Sequence, residues 1–527
     1  MFKHIASVVA LALALLVAGC DSSSTSAFGS SNSTVLTVMA GSELKDIEPL
    51  LPQIEKATGI KLQLNYAGTL EAVERLQAGD ATDLAWLANN HYAMLVPDAK
   101  SKIIASQRTM LTPVVLGLKA SKAKELGWEN NPQLTWKDIA VAAEKGKFTF
   151  GMTNPTSSNT GFSGLLGLAS ALSGKGDALE EKDIDSQRLA AFFKAQRLTA
   201  GSSGWLADAF MKEQGKVDGI INYASTLQSM NRNPELTEKL VLIYPRDGIV
   251  TADYPLMLIN PQKRADYDKL VAYIRGVEFQ REMAKQTLRR PVNPDAISPG
   301  DAVPALAELS FPAKLAVVDA ILYAFDNTVR LPTDSTFVLD TSGSMSGQRI
   351  DSLKTTMLGL AGADTSISGR FAKFRNREHI TLVPFNDHVI SSVSFAMGED
   401  ARMNQQTLKR LERSVNSLSA GGGTAIYSAT QTAYLSAVER RKKDPARFYS
   451  VVVMTDGQNG DGITIDQFAD WYRSLPSQDQ GIKVFTVMFG EASARDLKRL
   501  AEMTGGRLFD GRTSGLQAIF KEIRGYQ

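Results

Sequence analysis

Two apolar runs late in the chain, each ending on an aspartate, constrain the fold more than any other feature. Ser335-Thr336-Phe337-Val338-Leu339 leads into Asp340, and Val451-Val452-Val453-Met454 leads through Thr455 into Asp456. Short continuous runs of this kind suit strands buried on both faces of a parallel sheet, so each aspartate stands where such a strand would end. Gly343, Ser346 and Gly347 follow Asp340 and read as loop. Asp340, Ser342 and Ser344 therefore offer three hard oxygen donors from one turn. A glycine loop opening a helix, Gly421-Gly422-Gly423-Thr424-Ala425, supplies a further hydroxyl. Hard oxygens suit Mg²⁺, Mn²⁺ or Ca²⁺ rather than a thiolate-loving metal.

The D-x-S-x-S turn, the glycine-flanked Thr424 and the strand-ending Thr455-Asp456-Gly457 resemble the metal-ion-dependent adhesion site of von Willebrand factor type A domains. The resemblance covers about residues 333–527. It implies a doubly wound, Rossmann-like α/β domain in which Ser342, Ser344 and Thr424 face a cation. Asp340 and Asp456 would bind that cation directly or through water, and an acidic group of a partner protein would complete the octahedron. Without a metal, the same aspartates would cap strands and the serines would form turns. Strands are expected at 335–340, 380–385, 389–395, 449–454 and 483–489, with a short one near Arg507-Leu508-Phe509. Helices are expected near 348–360, 404–418, 425–440, 464–474, 493–503 and 514–524.

At 527 residues the chain is too long for one core and should divide into two or three domains. A formal net charge of +2 sets up no field that would gather nucleic acid. Residues 1–20 read as an export signal, with Lys3 ahead of an apolar run from Ile5 to Val17. The run ends Leu16-Val17-Ala18-Gly19-Cys20, which resembles a bacterial lipobox and implies lipidation at Cys20. At ~0.8 kcal/mol per buried CH₂, several acyl chains make a durable membrane anchor. Cys20 is the only cysteine, which fits an exported chain with neither disulfide nor free thiol. Asp21 resembles an inner-membrane retention residue, implying the periplasmic face of the inner membrane in the cell envelope. Residues 21–33 form a Ser-rich tether, with a reach on the order of 20 Å.

From Thr34 onward, strands alternate with helices. Val35–Met39 is a strand ending in Ala40-Gly41-Ser42, and a helix follows through Lys56 to Gly59. Ile60–Leu64 ends in Ala67-Gly68-Thr69 before a helix around Val73–Leu76, and Asp83–Leu87 ends at Asn89-Asn90. Repeated units of this kind imply a parallel sheet with a ligand crevice at the strand ends. The order resembles two-lobed periplasmic solute-binding proteins of ABC importers, across about residues 34–310. Asn154-Pro155-Thr156-Ser157-Ser158-Asn159-Thr160-Gly161, opening a helix from Phe162 to Leu172, looks like the ligand loop of the second lobe. Asp218–Tyr223 and Tyr244–Gly248 would be the hinge and return segments. The resemblance implies Ser42, Thr69, Ser158, Thr160 and Tyr223 as contacts to a small-molecule ligand, although such residues also cap helices. Trp86, Tyr92 and Trp205 are candidates to line the cleft, and Arg108 to meet an anion.

Residues 311–332 should be a connecting helix, with Leu315, Val318, Leu322, Phe325 and Val329 at helical spacing and Leu331-Pro332 as its stop. His91, His379 and His388 are scattered, without a zinc motif. The chain has no GxxxxGK[ST], and methionine stands at the nucleophile position of Gly343-Ser344-Met345-Ser346-Gly347. The sequence thus reads as a lipid-anchored, non-enzymatic binding protein whose metal site takes a protein partner. The alternative is the substrate-binding lipoprotein of an ABC importer, docked to its permease through the C-terminal domain.

Overall fold

The computed structural model describes residues 33–297, 307–512 and 516–526. The signal segment, Cys20, Asp21 and nearly all of the tether lie outside the described residues. Three sheets organise the rest. The first contains Ile60–Ala67, Thr34–Gly41, Leu84–Trp86, Pro255–Leu258 and Ala105–Arg108, side by side in that order. The second is ordered Val250–Ala252, Met110–Lys119, Gly219–Tyr223, Phe150–Thr153 and Gln196–Ala200. Each sheet with its helices is one lobe.

The chain crosses between the lobes through Thr109, back through Asp253-Tyr254, and a third time ahead of Arg290–Pro291, which pairs with Met110 and Leu111 of the second sheet. The expected hinge is therefore corrected. Gly219–Tyr223 is a fully buried strand inside the second sheet, because its run of apolar residues faces helices on both sides. Tyr244–Gly248 is a turn beside it, held by Asp247, which accepts the Trp136 N–H at 3.0 Å. Trp86, at the true crossing, donates its indole N–H to Thr109 Oγ1 at 3.0 Å and to the Tyr254 carbonyl at 3.2 Å.

The third sheet makes the C-terminal domain. Its order is Val393–Ala396, His379–Phe385, Thr333–Asp340, Phe448–Thr455, Lys483–Met488 and Leu508–Asp510. All pairings are parallel except that of the Val393–Ala396 edge strand. Every residue of Thr333–Asp340 is buried, as expected of a strand covered on both faces. The edge strand begins at Val393 rather than 389, because a tight turn, Asn386 N–H to the His388 carbonyl at 2.9 Å, occupies the residues before it. The helix Ala401–Asn416 starts earlier than expected, where Asp400 accepts the Arg402 and Met403 N–H groups. A short helix, Ile367–Ala372, capped by Ser366, was not legible in the pattern.

The connecting helix runs Leu315–Ala324 and continues as a π-helical turn over Phe325–Val329. Beyond it lies a buried charge network. Glu378 is 1% exposed and accepts hydrogen bonds from both Arg330, at the end of that helix, and Arg524, in the last helix, Leu516–Arg524. Arg375 pairs with Asp326 at 3.1 Å alongside. Burial pushes the Glu378 carboxyl up, but Arg524 and Arg330 outweigh it and hold the group below its ordinary value.

Removing a partner shared by two buried guanidinium groups strands their charge. Glu378→Ala should therefore destabilise the protein by about 3–5 kcal/mol, read by chemical denaturation. Because the folded pKa is depressed, Glu378 stabilises fully above its ordinary 4.5 and loses that contribution as pH falls through the folded value. The stability gap between wild type and variant should accordingly narrow on acidification below that point.

Candidate metal centre and interlobe cleft

Asp340 and Asp456 end neighbouring strands at the point where the sheet order reverses, since one flank of Thr333–Asp340 is filled by His379–Phe385 and the other by Phe448–Thr455. Both carboxylates are fully buried. Asp340 accepts the Ser342 N–H at 2.8 Å and the Thr455 hydroxyl at 2.6 Å. Asp456 accepts the Ser344 hydroxyl at 2.8 Å, and the Ser342 and Ser344 hydroxyl oxygens lie 3.1 Å apart. The turn thus strings its oxygens from one aspartate to the other.

The glycine loop closes the group. Gly422 takes φ 83°, and a Cβ there would come within 2.6 Å of the Asn386 amide. Its carbonyl accepts the Gly343 N–H at 3.0 Å, while Gly421 N–H reaches the Thr341 carbonyl at 2.8 Å. Thr424 donates its N–H to Asp461 at 2.8 Å. A Cβ on Gly457 would lie 3.4 Å from Ser344 Oγ and 3.8 Å from Thr424 Oγ1, so the two hydroxyls flank this one glycine. The five expected donors are therefore brought to one surface. Burial pushes the Asp340 carboxyl up, Ser342 and Thr455 pull it back, and the nearby Asp456 pushes it further up. Two desolvated carboxylates with interleaved hydroxyls fit a hard divalent cation. Among the described residues no group of three or more His, Cys, Asp or Glu is placed to hold a metal, so an ion here would depend on the hydroxyls as well.

Sequence reasoning missed Arg349. Its Nη1 sits 2.5 Å from Asp456 Oδ2, opposite the oxygen that takes Ser344. It missed Thr455 as well, whose hydroxyl orients Asp340; the residue was quoted only as part of the strand end.

A cavity of about 810 Å³ lies between the two lobes, and it has a third wall. Ser42, Gly68 and Glu71 face it from the first lobe, Ser157, Ser225 and Trp205 from the second. Phe371, Ile519 and Lys521 face it from the C-terminal domain. Of the expected ligand contacts, Ser42 lines the cleft. Thr69 opens a helix, and its neighbour Gly68 lines the cavity instead. Ser158 and Thr160 are buried, with Thr160 Oγ1 2.8 Å from Thr153 Oγ1 and 3.1 Å from Ser158 Oγ. Tyr223 is also buried, its hydroxyl accepting from Asn159 at 2.9 Å. Gly68 and Ser157, each one residue before an expected contact, line the cavity in place of Thr69 and Ser158.

At the cleft base Arg289, 3% exposed, donates to Asp46 at 2.7 Å and to the Glu43 carbonyl at 3.0 Å, and stacks on the Tyr254 ring. Burial pushes the Glu43 carboxyl up against the pull of its own backbone N–H and Arg289. Of the expected cleft aromatics only Trp205 lines it, under the Arg507 guanidinium 4.2 Å away. Tyr92 is buried and bonds Asp319 at 3.0 Å, while Arg108 pairs with Asp253 at 2.7 Å. His91 stacks on Phe311, His379 approaches Asp334 and His388 lies beside Asp387.

Residues 36–288 match the family model described as bacterial extracellular solute-binding protein, and residues 334–522 match the von Willebrand factor type A domain. The chain joins a solute-binding domain to a type A domain. A curated relative, an uncharacterized protein of Synechocystis sp., is 28% identical over 186 residues, or 35% of this chain and 39% of that protein's length. Among solved structures, the ferric binding protein of Campylobacter jejuni is 14% identical and covers 55% of this chain and 96% of its own, with a TM-score of 0.42. The apo ferric ion-binding protein A of Pasteurella haemolytica is 18% identical, covers 56% and 97%, and scores 0.42. The sulfate-binding protein of Mycobacterium tuberculosis is 18% identical, covers 54% and 96%, and scores 0.40.

In the type A domain, asparagine at 340 would keep an acceptor for the Ser342 N–H and could donate to Thr455. It would also remove a charge that is buried without a cation of its own. Asp340→Asn should therefore melt no lower than wild type in EDTA; if the centre takes Mg²⁺, wild type should melt higher with Mg²⁺ and the variant should not. Differential scanning fluorimetry of both proteins, with and without Mg²⁺, checks this.

Proposed function

We propose that this is an exported, membrane-anchored binding protein whose type A domain holds a divalent cation and offers it to an acidic side chain of a partner protein. The observation that carries the reading is the pair of buried carboxylates, Asp340 and Asp456, on neighbouring strand ends, joined through Ser342 and Ser344. Thr424 completes the protein donors. The cation is Mg²⁺ in the first instance, with Mn²⁺ and Ca²⁺ as the other hard ions the donors accept. It would supply a fixed, incompletely shielded positive charge. This chain's residues hold the ion, keep bulk water from its inner side and shape the surface that selects the partner. No bond is made or broken in this reading, and it assigns no catalytic residue.

The anchor in this reading is lipid on Cys20, with residues 1–20 removed and 21–33 as the tether. Residues 34–310 are the solute-binding unit, 311–332 the connecting helix and 333–527 the type A unit. Among the described residues no helix is long and apolar enough to cross a membrane. In this reading Asp21 is a retention residue that keeps the anchor on the periplasmic face of the inner membrane.

The interlobe cavity favours a second reading, in which the protein delivers a small polar solute to an ABC permease. One feature weighs against it. The type A domain bonds both lobes, so lobe opening of the importer kind would have to break those contacts.

A capture experiment from solubilised envelope separates the two. With wild-type protein as bait, a partner retained in Mg²⁺ but lost in EDTA and with Asp340→Ala is the expected result. A permease retained under all three conditions would overturn the first reading in favour of the second. Calorimetry over a broad solute panel tests the cleft separately, and no heat from any solute would sink the transport reading.

A further inference from the structure

Among the described residues, Arg349 is the one cation in contact with the carboxylates of the metal centre. It is the second residue of the helix Gln348–Leu358, which starts directly after the D-x-S-x-S turn. Its Nη1 lies 2.5 Å from Asp456 Oδ2 and 3.4 Å from the Ser344 carbonyl. The guanidinium fills a slot beside Gly490, where a Cβ would come within 3.2 Å of Arg349 Cζ and 3.0 Å of Asp456 Cβ. Asp456 is fully buried, whereas the Arg349 side chain is 40% exposed. The arginine thus reaches in from the rim to a carboxylate that water does not reach, and no other side-chain ion pair holds it among the described residues.

The two aspartates are consequently unequal. Asp340 is served only by neutral donors, Ser342 N–H and Thr455. Asp456 already carries a full positive charge on one of its oxygens. A divalent ion seated between them would bring two more positive charges to within a few ångströms of the guanidinium, in a place too dry to screen them. Both cations compete for the lone pairs of the same carboxylate, and only the arginine has somewhere else to go.

We infer that Arg349 is a tethered counter-cation that neutralises Asp456 until a divalent ion displaces it, and that the displaced guanidinium turns to the rim, where it meets the acidic group of a partner. This rests on the metal-site reading above. On it, Arg349 sets two thresholds at once. It weakens the resting affinity for metal, and it adds a second positive group to the docking surface only after metal has entered. A single nitrogen, Nη1, makes both the Asp456 Oδ2 and the Ser344 carbonyl contacts, so the pairing is monodentate and can be given up in one step.

The test is metal affinity of the full chain, with free Mn²⁺ read by EPR and Mg²⁺ by titration calorimetry. Wild type is compared with Arg349→Gln, Arg349→Met and the remote surface variant Arg264→Gln. Both Arg349 variants should bind Mn²⁺ and Mg²⁺ about tenfold more tightly, the scale on which a half-exposed charge pair competes, while Arg264→Gln stays at the wild-type value. Using two replacements keeps the comparison open if one of them folds poorly, and circular dichroism monitors that. Unchanged or weaker binding in a folded Arg349 variant overturns the inference and leaves the metal reading standing. A gain matched by Arg264→Gln also overturns it, since net charge alone would then explain the effect. Absence of binding in all the proteins removes the metal reading, and this inference with it.

Discussion

The buried carboxylate of Glu378 is the constraint on which the arrangement of domains rests. It accepts Arg330 from the end of the connecting helix and Arg524 from the last helix of the chain. A charge with so little exposure is tolerated only where cations surround it, so the two helix ends must converge on it. Arg377 adds its guanidinium to the carbonyls of Asn327 and Arg330, at 3.1 and 2.8 Å, which ties the π-helical turn to the same point. The last helix is thereby fixed to the start of the type A domain. That position also presents its other side to the solute-binding lobes.

The consequence is a domain that leans on both lobes at once. On the first lobe, the Ser368 N–H donates to Glu74 at 3.0 Å. On the second, Asn154 donates to the Arg524 carbonyl at 3.2 Å, Arg507 covers Trp205, and Lys483 lies 3.9 Å from Glu213. Phe193 meets Phe325 of the connecting segment edge to face, with ring centroids 5.2 Å apart. A lobe closing or opening about Thr109 and Asp253-Tyr254 must therefore change its contacts with the type A domain. Any solute that selects one lobe angle is linked by those contacts to the domain that carries the metal centre, and linkage of that kind acts equally in both directions.

Most of the C-terminal fold was legible in the sequence because its strands are buried on both faces. Runs such as Val451–Met454 leave little ambiguity, and the strand-ending aspartates fix the register of the site. The motif also pointed to the oxygens that the fold gathers at one edge, since three loops had to supply them. What escaped was set by tertiary contacts. Arg349 reads as an ordinary helix-surface arginine, and nothing in its neighbours reveals that it folds back on Asp456. The hinge was misplaced because the crossings at Thr109 and Asp253-Tyr254 carry no apolar pattern of their own, and only pairing partners tell that Gly219–Tyr223 is an interior strand. The loop expected to meet a ligand does border the cavity, but through Ser157, while Ser158 and Thr160 bond within the loop and the strand behind it. The third wall could not be read at all. Phe371 lies in the short helix that the pattern did not show, and Ile519 and Lys521 lie in a helix whose amphipathic pattern says that one face is covered without saying by what.

The candidate metal centre is made of unequal halves, and that inequality follows from the way the sheet is wound. Asp340 ends the first strand of its sheet, so its near neighbours are its own turn and Thr455 of the adjacent strand, all neutral. Asp456 ends the next strand over and faces the helix that leaves the D-x-S-x-S turn, which brings a basic residue to it. A charge buried beside neutral donors gains most from an added cation, whereas one already paired gains only the difference between two cations. A cation seated there would gain most from Asp340, and charge at the rim would act on it through Asp456. A partner that brings a carboxylate to that rim adds negative charge on the Asp456 side, where the guanidinium lies. On the proposed reading, metal and partner would therefore reinforce one another through the Asp456 side.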